Sequence, residues 1–140
     1  MDEQRKINGI VFSGLGQASS FMALDWVQQA LREILGFTPF PATLNVRPQT
    51  SEDLQAWGDI RRDMKGVSLP PADGGFCSAR LFPVDIHRAE SGRNARARGA
   101  VLLPEVADYP EDKIEVVAAV RLKNEFGLQD GVRLTLEFVN

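Results

Sequence analysis

The stretch VRLTLEFV at residues 132–139 alternates without a break. Val132, Leu134, Leu136 and Phe138 fall on one side; Arg133, Thr135 and Glu137 fall on the other. A period of two is a strand with one buried face. Such a strand cannot stand alone: both its edges need partners and its apolar face needs a cover. The rest of the chain must therefore supply a sheet.

It does. INGIVFS at 7–13 is an apolar run that stops at Ser13-Gly14. ATLNVR at 42–47 lies between Pro41 and Pro48, and KIEVVAAV spans 113–120. Residues 76–87 and 98–103 read as two more strands, separated by a polar loop around 89–97. One segment has helical spacing: WVQQALREIL at 26–35, with Val27, Ala30, Leu31 and Ile34 on one face. Asp25 is its expected N-cap, Gln28 the box partner and Gly36 the stop. Thr50 or Ser51 is expected to cap a short helix through Trp57. Residues 66–75 read as loop, 121–126 as one helical turn ending at Gly127, and 129–131 as a turn. Six strands with one main helix predict a mainly β fold, a small six-stranded barrel.

At 140 residues the chain has the size of one domain, and 44% hydrophobic with 25% charged residues predicts an ordinary globular core. A net charge of −3 argues against non-specific binding of duplex nucleic acid. Cys77 is the only cysteine and His87 the only histidine, so neither a disulfide framework nor a four-ligand zinc site can be drawn. The N-terminus MDEQRKINGI has no apolar h-region, and no run is long enough to span a bilayer. The expected address is the cytoplasm, with no membrane partner.

Four groups of residues could carry chemistry. The loop SGLGQASS at 13–20 follows a strand and could turn backbone N–H groups onto phosphate oxygens. It is neither a Walker loop nor a dinucleotide fingerprint, and a plain turn reads equally well. Thr43 and Asn45, one residue apart on a strand, share a face. Two neutral oxygens suit Mg²⁺ that takes its remaining ligands from phosphates and water, or simply a solvated face. Glu115 lies inside an apolar run, facing either solvent or a cleft in which it could act as a base. Arg88, Arg93, Arg96 and Arg98 surround Glu90 in one window, which reads as a solvated hairpin tip or as an anion-binding loop. The aromatic-proline elbow GFTPFP at 36–41 stands just ahead of Thr43.

In order, SGLGQASSF, LGFTPFPATLNV, GGFCSARLFPVDI, KIEVVAAVRL and GLQDGVRLTL resemble the archaeal-type CTP-dependent riboflavin kinases over residues 7–138. The resemblance implies a single cradle-loop barrel domain spanning 1–140, a monomer, that transfers the γ-phosphate of CTP to riboflavin and yields FMN. It implies that Gly14, Leu15, Gly16, Gln17, Ala18 and Ser19 cradle the nucleotide phosphates. Arg121, Leu122, Lys123 and Asn124 would contact the nucleotide. Thr43 and Asn45 would hold Mg²⁺, Glu115 would meet the ribityl end of the flavin as the catalytic carboxylate, and Ala107 and Tyr109 would line the flavin site. The chain departs from the family pattern at Ala42, Ala107, Lys123 and Asn124. A non-catalytic homologue that binds nucleotide or flavin is the alternative. A nucleic-acid-binding barrel using the arginine loop is a third reading, and no nucleic-acid partner is expected.

Overall fold

A computed structural model describes residues 5–12, 22–41, 43–69, 78–90, 93–107 and 109–139. Seven strands are present among them: β1 Arg5–Phe12, β2 Leu44–Pro48, β3 Val67–Leu69, β4 Ala79–Glu90, β5 Arg93–Pro104, β6 Ile114–Ala118 and β7 Arg133–Phe138. The helices are α1 Asp25–Leu35, α2 Ser51–Asp63 and the short α3 Leu122–Glu125.

Six strands close into an antiparallel barrel in the order β4-β5-β6-β2-β1-β7, with β7 pairing back onto β4 and β3 added outside. The second half of β4 makes the closure, Val84 to His87 lying opposite Phe138 to Thr135. Closure removes the exposed edges that the alternating β7 would otherwise present. Gly99 lets β5 lie close against β6: a Cβ there would collide with the Val117 carbonyl.

Alternation divides the wall into two apolar sets. Facing inward are Val11, Leu44, Val46, Val84, Ile86, Val101, Ile114, Val116, Leu134 and Leu136. Outward on one side, Leu81, Ala100, Leu102 and Val117 form a second core with Val27 and Leu31 of α1. Helix α2 adds Trp57 and Ile60 to the inner core. The Trp57 indole meets Phe82 edge-on at 5.9 Å and Phe138 at 5.8 Å. Leu122, Phe126 and Leu128, in and after α3, join the same inner core.

Several local expectations are corrected. The N-cap of α1 is Leu24, with no side-chain cap, and Asp25 lies in the first turn, where its charge favours the helix dipole. Gln28 instead donates from Nε2 to the Met22 carbonyl at 2.6 Å. Helix α2 runs six residues past Trp57. Gly58 costs it about 1 kcal/mol, but burying Ile60 in the following turn returns about 1.5–3 kcal/mol. Thr50 does cap it, in a full capping box with Asp53. Residues 67–69 are strand rather than loop because Leu69 is buried in the second core. The polar loop around 89–97 is in fact strand on both sides: β4 and β5 pair from Ala79↔Pro104 to Glu90↔Arg93. Long hairpin arms can carry polar residues where only one face is covered. Among the described residues no helix is long and apolar enough to cross a membrane.

Candidate functional site

The elbow ahead of Thr43 is docked, not free. Pro39 is buried, and the Phe40 N–H donates to the carbonyl of Ala118, the last residue of β6, at 2.7 Å. That bond delivers the chain to Thr43 beside β6. Thr43 then donates from Oγ1 to Glu115 Oε1 at 3.2 Å, across 72 residues of sequence.

Strand register completes the cluster. Asn45 lies directly opposite Glu115 on β6, and Phe12 lies opposite Asn45 on the other side. Their inward neighbours Leu44, Val46, Ile114 and Val116 are in the barrel core, so Asn45 and Glu115 project from the outer wall. Across that wall the row continues through Leu102 to Leu81, both in the second core. Polar groups therefore sit at the edge of an apolar floor. Glu115 is only 4% exposed. Its other oxygen, Oε2, accepts from the Tyr109 hydroxyl at 2.5 Å.

Burial pushes the Tyr109 phenol well above its usual range, and the hydrogen bond to Glu115 and that carboxylate's charge act in the same direction. Tyr109 is therefore a neutral donor at any physiological pH. The Lys113 ammonium lies 5.8 Å from the centre of its ring, and Arg47 lies 5.0 Å above Phe12.

Asn45 Oδ1 is buried and has no hydrogen-bond partner among the described residues. Leaving a buried carbonyl oxygen unpaired costs about 1–3 kcal/mol, and each such group in a folded protein calls for an explanation. No cluster of three or more His, Cys, Asp or Glu exists among the described residues. A divalent cation at this place would need its negative charge from a ligand.

Thr43, Asn45, Tyr109 and Glu115 are thus brought together. Ala107 is exposed, two residues before Tyr109. Arg121 is the N-cap of α3, and Arg121 and Asn124 are exposed while Leu122 is buried. Lys123 lies on the α3 backbone. The loop Gly14 to Ser19 and Ala42 lie outside the described residues; in sequence that loop begins two residues after Phe12, the partner of Asn45. The arginine group divides. Arg96 and Arg98 are exposed on β5, whereas Arg88 reaches from β4 to the end of α3. Arg88 stood out in sequence only as part of a charged window; its place against Phe126, like the Phe12–Arg47 stack, depends on which strands become neighbours.

A family model labelled CTP-dep_RFKase, with the description "Domain of unknown function DUF120", matches residues 11–138. The chain belongs to the archaeal-type CTP-dependent riboflavin kinase family. Among its relatives, the riboflavin kinase of Aeropyrum pernix is 36% identical over 135 residues, covering 94% of each chain. That of Methanospirillum hungatei is 35% identical over 132 residues, 94% of this chain and 56% of the relative. That of Pyrobaculum calidifontis is 34% identical over 134 residues, 94% of this chain and 59% of the relative. The chain spans well under two thirds of the length of the last two, and nearly all of the Aeropyrum kinase.

Proposed function

We propose that the chain is a CTP-dependent riboflavin kinase, transferring the γ-phosphate of CTP to riboflavin to give FMN and CDP. The observation that carries this reading is the buried Asn45 oxygen, without a partner among the described residues, set against the Glu115 carboxylate with Thr43 bonded to it. A barrel has no structural use for that arrangement.

The donor set fits Mg²⁺. Thr43 Oγ1 and Asn45 Oδ1 are hard, neutral oxygens, and Mg²⁺ accepts one or two protein oxygens when phosphates and water supply the rest. When bound, the ion would neutralise charge on the phosphate oxygens.

Glu115 is the base. Its carboxylate takes the proton of the terminal ribityl hydroxyl as that oxygen bonds to the γ-phosphorus. The bond from phosphorus to the β–γ bridging oxygen breaks, and CDP leaves with the electron pair. Transfer of this kind asks mainly for alignment and charge neutralisation. Tyr109 and Thr43 hold one carboxylate oxygen each and so fix its direction. The loop Gly14 to Ser19 supplies backbone donors to the phosphates, and Arg121 to Asn124 meets the nucleotide. Ala107 and Tyr109 flank the flavin. On this reading the barrel domain works as a monomer in the cytoplasm, with small molecules as its partners.

Incubation with CTP, Mg²⁺ and riboflavin, followed by chromatography, tests the reading. FMN should form, and ATP should replace CTP poorly. Tight binding of CTP or riboflavin without FMN would favour the non-catalytic homologue instead.

A further inference from the structure

Two arginines on β4 use the same device at different helices. Arg80 donates from Nη2 to the Arg61 carbonyl at 3.0 Å and from Nη1 to the Met64 carbonyl at 3.3 Å, at the C-terminal end of α2. Arg88, eight residues along, donates from Nη1 to the Phe126 carbonyl at 2.5 Å and to the Gly127 carbonyl at 3.0 Å, at the end of α3. A cation at a helix C-terminus satisfies carbonyls that have no partner within the helix, and it opposes the negative end of the dipole.

The two helices need this to different degrees. Helix α2 has thirteen residues, a capping box and a buried tryptophan. Helix α3 has four residues, and its N-cap Arg121 makes no side-chain cap bond. A single turn does not hold itself together, because nucleation fixes several residues for one hydrogen bond. Its geometry comes from outside: Leu122 and Phe126 buried in the barrel core, Gly127 in the left-handed region at φ 63°, and Arg88 across 38 residues of sequence.

We propose that Arg88 is the positioning residue of the nucleotide segment. By holding the carbonyls of the C-cap Phe126 and of Gly127 just after it, it fixes the turn that presents Arg121 to Asn124, and so sets affinity for the nucleotide without touching it. This rests on the reading that 121–124 meets the nucleotide. Arg88 is then a clamp on the donor side of the reaction and leaves the flavin side, at Tyr109 and Glu115, unaffected.

The full chain carrying Arg88→Ala, Arg88→Lys or Arg80→Ala is compared with the parent by calorimetry, with Mg²⁺·CTP and with riboflavin separately. Melting and hydrogen exchange of the 121–127 amides are followed alongside. Arg88→Ala should weaken CTP at least about tenfold, leave riboflavin within about twofold, and speed exchange at 121–127. Arg88→Lys, which keeps a charge and one donor direction, should fall between. Arg80→Ala should lower the melting temperature with CTP affinity unchanged. Unchanged CTP affinity in folded Arg88→Ala would overturn the clamp. So would equal weakening of CTP and riboflavin that follows the melting temperature, because that is loss of fold alone. If Arg88→Ala fails to fold, Arg88→Lys decides on the same criteria. If the parent binds no CTP, the kinase reading fails and the clamp with it. If the parent binds CTP but Arg121→Ala and Arg88→Ala both bind it equally well, the assignment of 121–124 fails while the kinase reading stands.

Discussion

The two faces of the β2–β6 pair are built from adjacent residues and follow opposite rules. Inward, Leu44, Val46, Ile114, Val116 and Ala118 are apolar and buried, and the barrel core satisfies them completely. Outward, Asn45 and Glu115 stand opposite each other, one with a buried oxygen unpaired among the described residues and the other a nearly sealed carboxylate. The inner face adds stability. The outer face adds less, since a paired buried polar group returns only about 0.5–1.5 kcal/mol and one left unpaired costs about 1–3 kcal/mol.

The largest expected effect belongs to the outer face. Glu115→Gln keeps the shape, and its amide oxygen can still accept from Tyr109. Turnover of CTP and riboflavin should fall about 10²–10⁴-fold, the usual weight of a general base, while the melting temperature moves little. FMN formation within about twofold of the parent would remove Glu115 from the chemistry. The inner face should respond the other way. Ile114→Ala, one residue before Glu115 and fully buried, should lose about 2–5 kcal/mol in urea unfolding and keep CTP affinity. A loss below about 1 kcal/mol would mean that Ile114 is not the packed side of β6.

Asn45→Leu sharpens the contrast further, because it is nearly isosteric and removes the unpaired oxygen. Without ligand the variant should be as stable as the parent or more so. With Mg²⁺ and CTP at 100 times the dissociation constant, the parent should gain roughly 2.7 kcal/mol, and the variant should lose most of that gain. Melting curves with and without Mg²⁺·CTP read both numbers. A variant that keeps the full ligand shift would rule out Asn45 as a metal ligand. One destabilised as much as Ile114→Ala would place Asn45 in the packed core instead.

Much of the barrel was legible because its signal is local. The alternation of 132–139, the helical spacing of 26–35 and the stop at Gly36, which adopts φ 80°, each lie within one short window. What was not legible depends on distance. The continuation of α2 past Gly58 is decided by where Ile60 is buried. The hairpin arms through 88–98 are decided by pairing with each other. At the site, spacing alone put Thr43 and Asn45 on one face but left open whether that face was solvated. That Glu115 lies opposite Asn45, on the outer wall, follows from a register between strands about seventy residues apart, which no window contains. Tyr109 could be marked by resemblance as a flavin neighbour, but not as the donor to Glu115.

The smallest expected effect concerns that donor. Tyr109→Phe removes the hydroxyl and leaves Thr43 alone on the carboxylate. At neutral pH the net loss should be about 1 kcal/mol, below the effects at Ile114 and Asn45, because Tyr109 is half-buried and water can replace part of the bond. The pH dependence is more telling. The folded protein holds the phenolic proton above its usual range, whereas the unfolded chain releases it near the ordinary value of about 10. Above that value the unfolded state binds fewer protons than the folded one, so stability falls as pH rises. The contribution of the hydroxyl is thus fully present below about pH 10 and is lost as pH climbs through the folded value. The parent should lose stability more steeply than Tyr109→Phe in that range, and the two curves should run parallel below it. Tyr109 is the only tyrosine in the chain, so the ultraviolet absorbance of tyrosinate reports its ionisation directly. Ionisation in the folded protein at the value of free tyrosine, or parallel curves throughout, would mean that the phenol is not held by Glu115. The outer face would then owe its order to Thr43 alone, and Glu115→Gln should disturb it no more than Thr43→Val does.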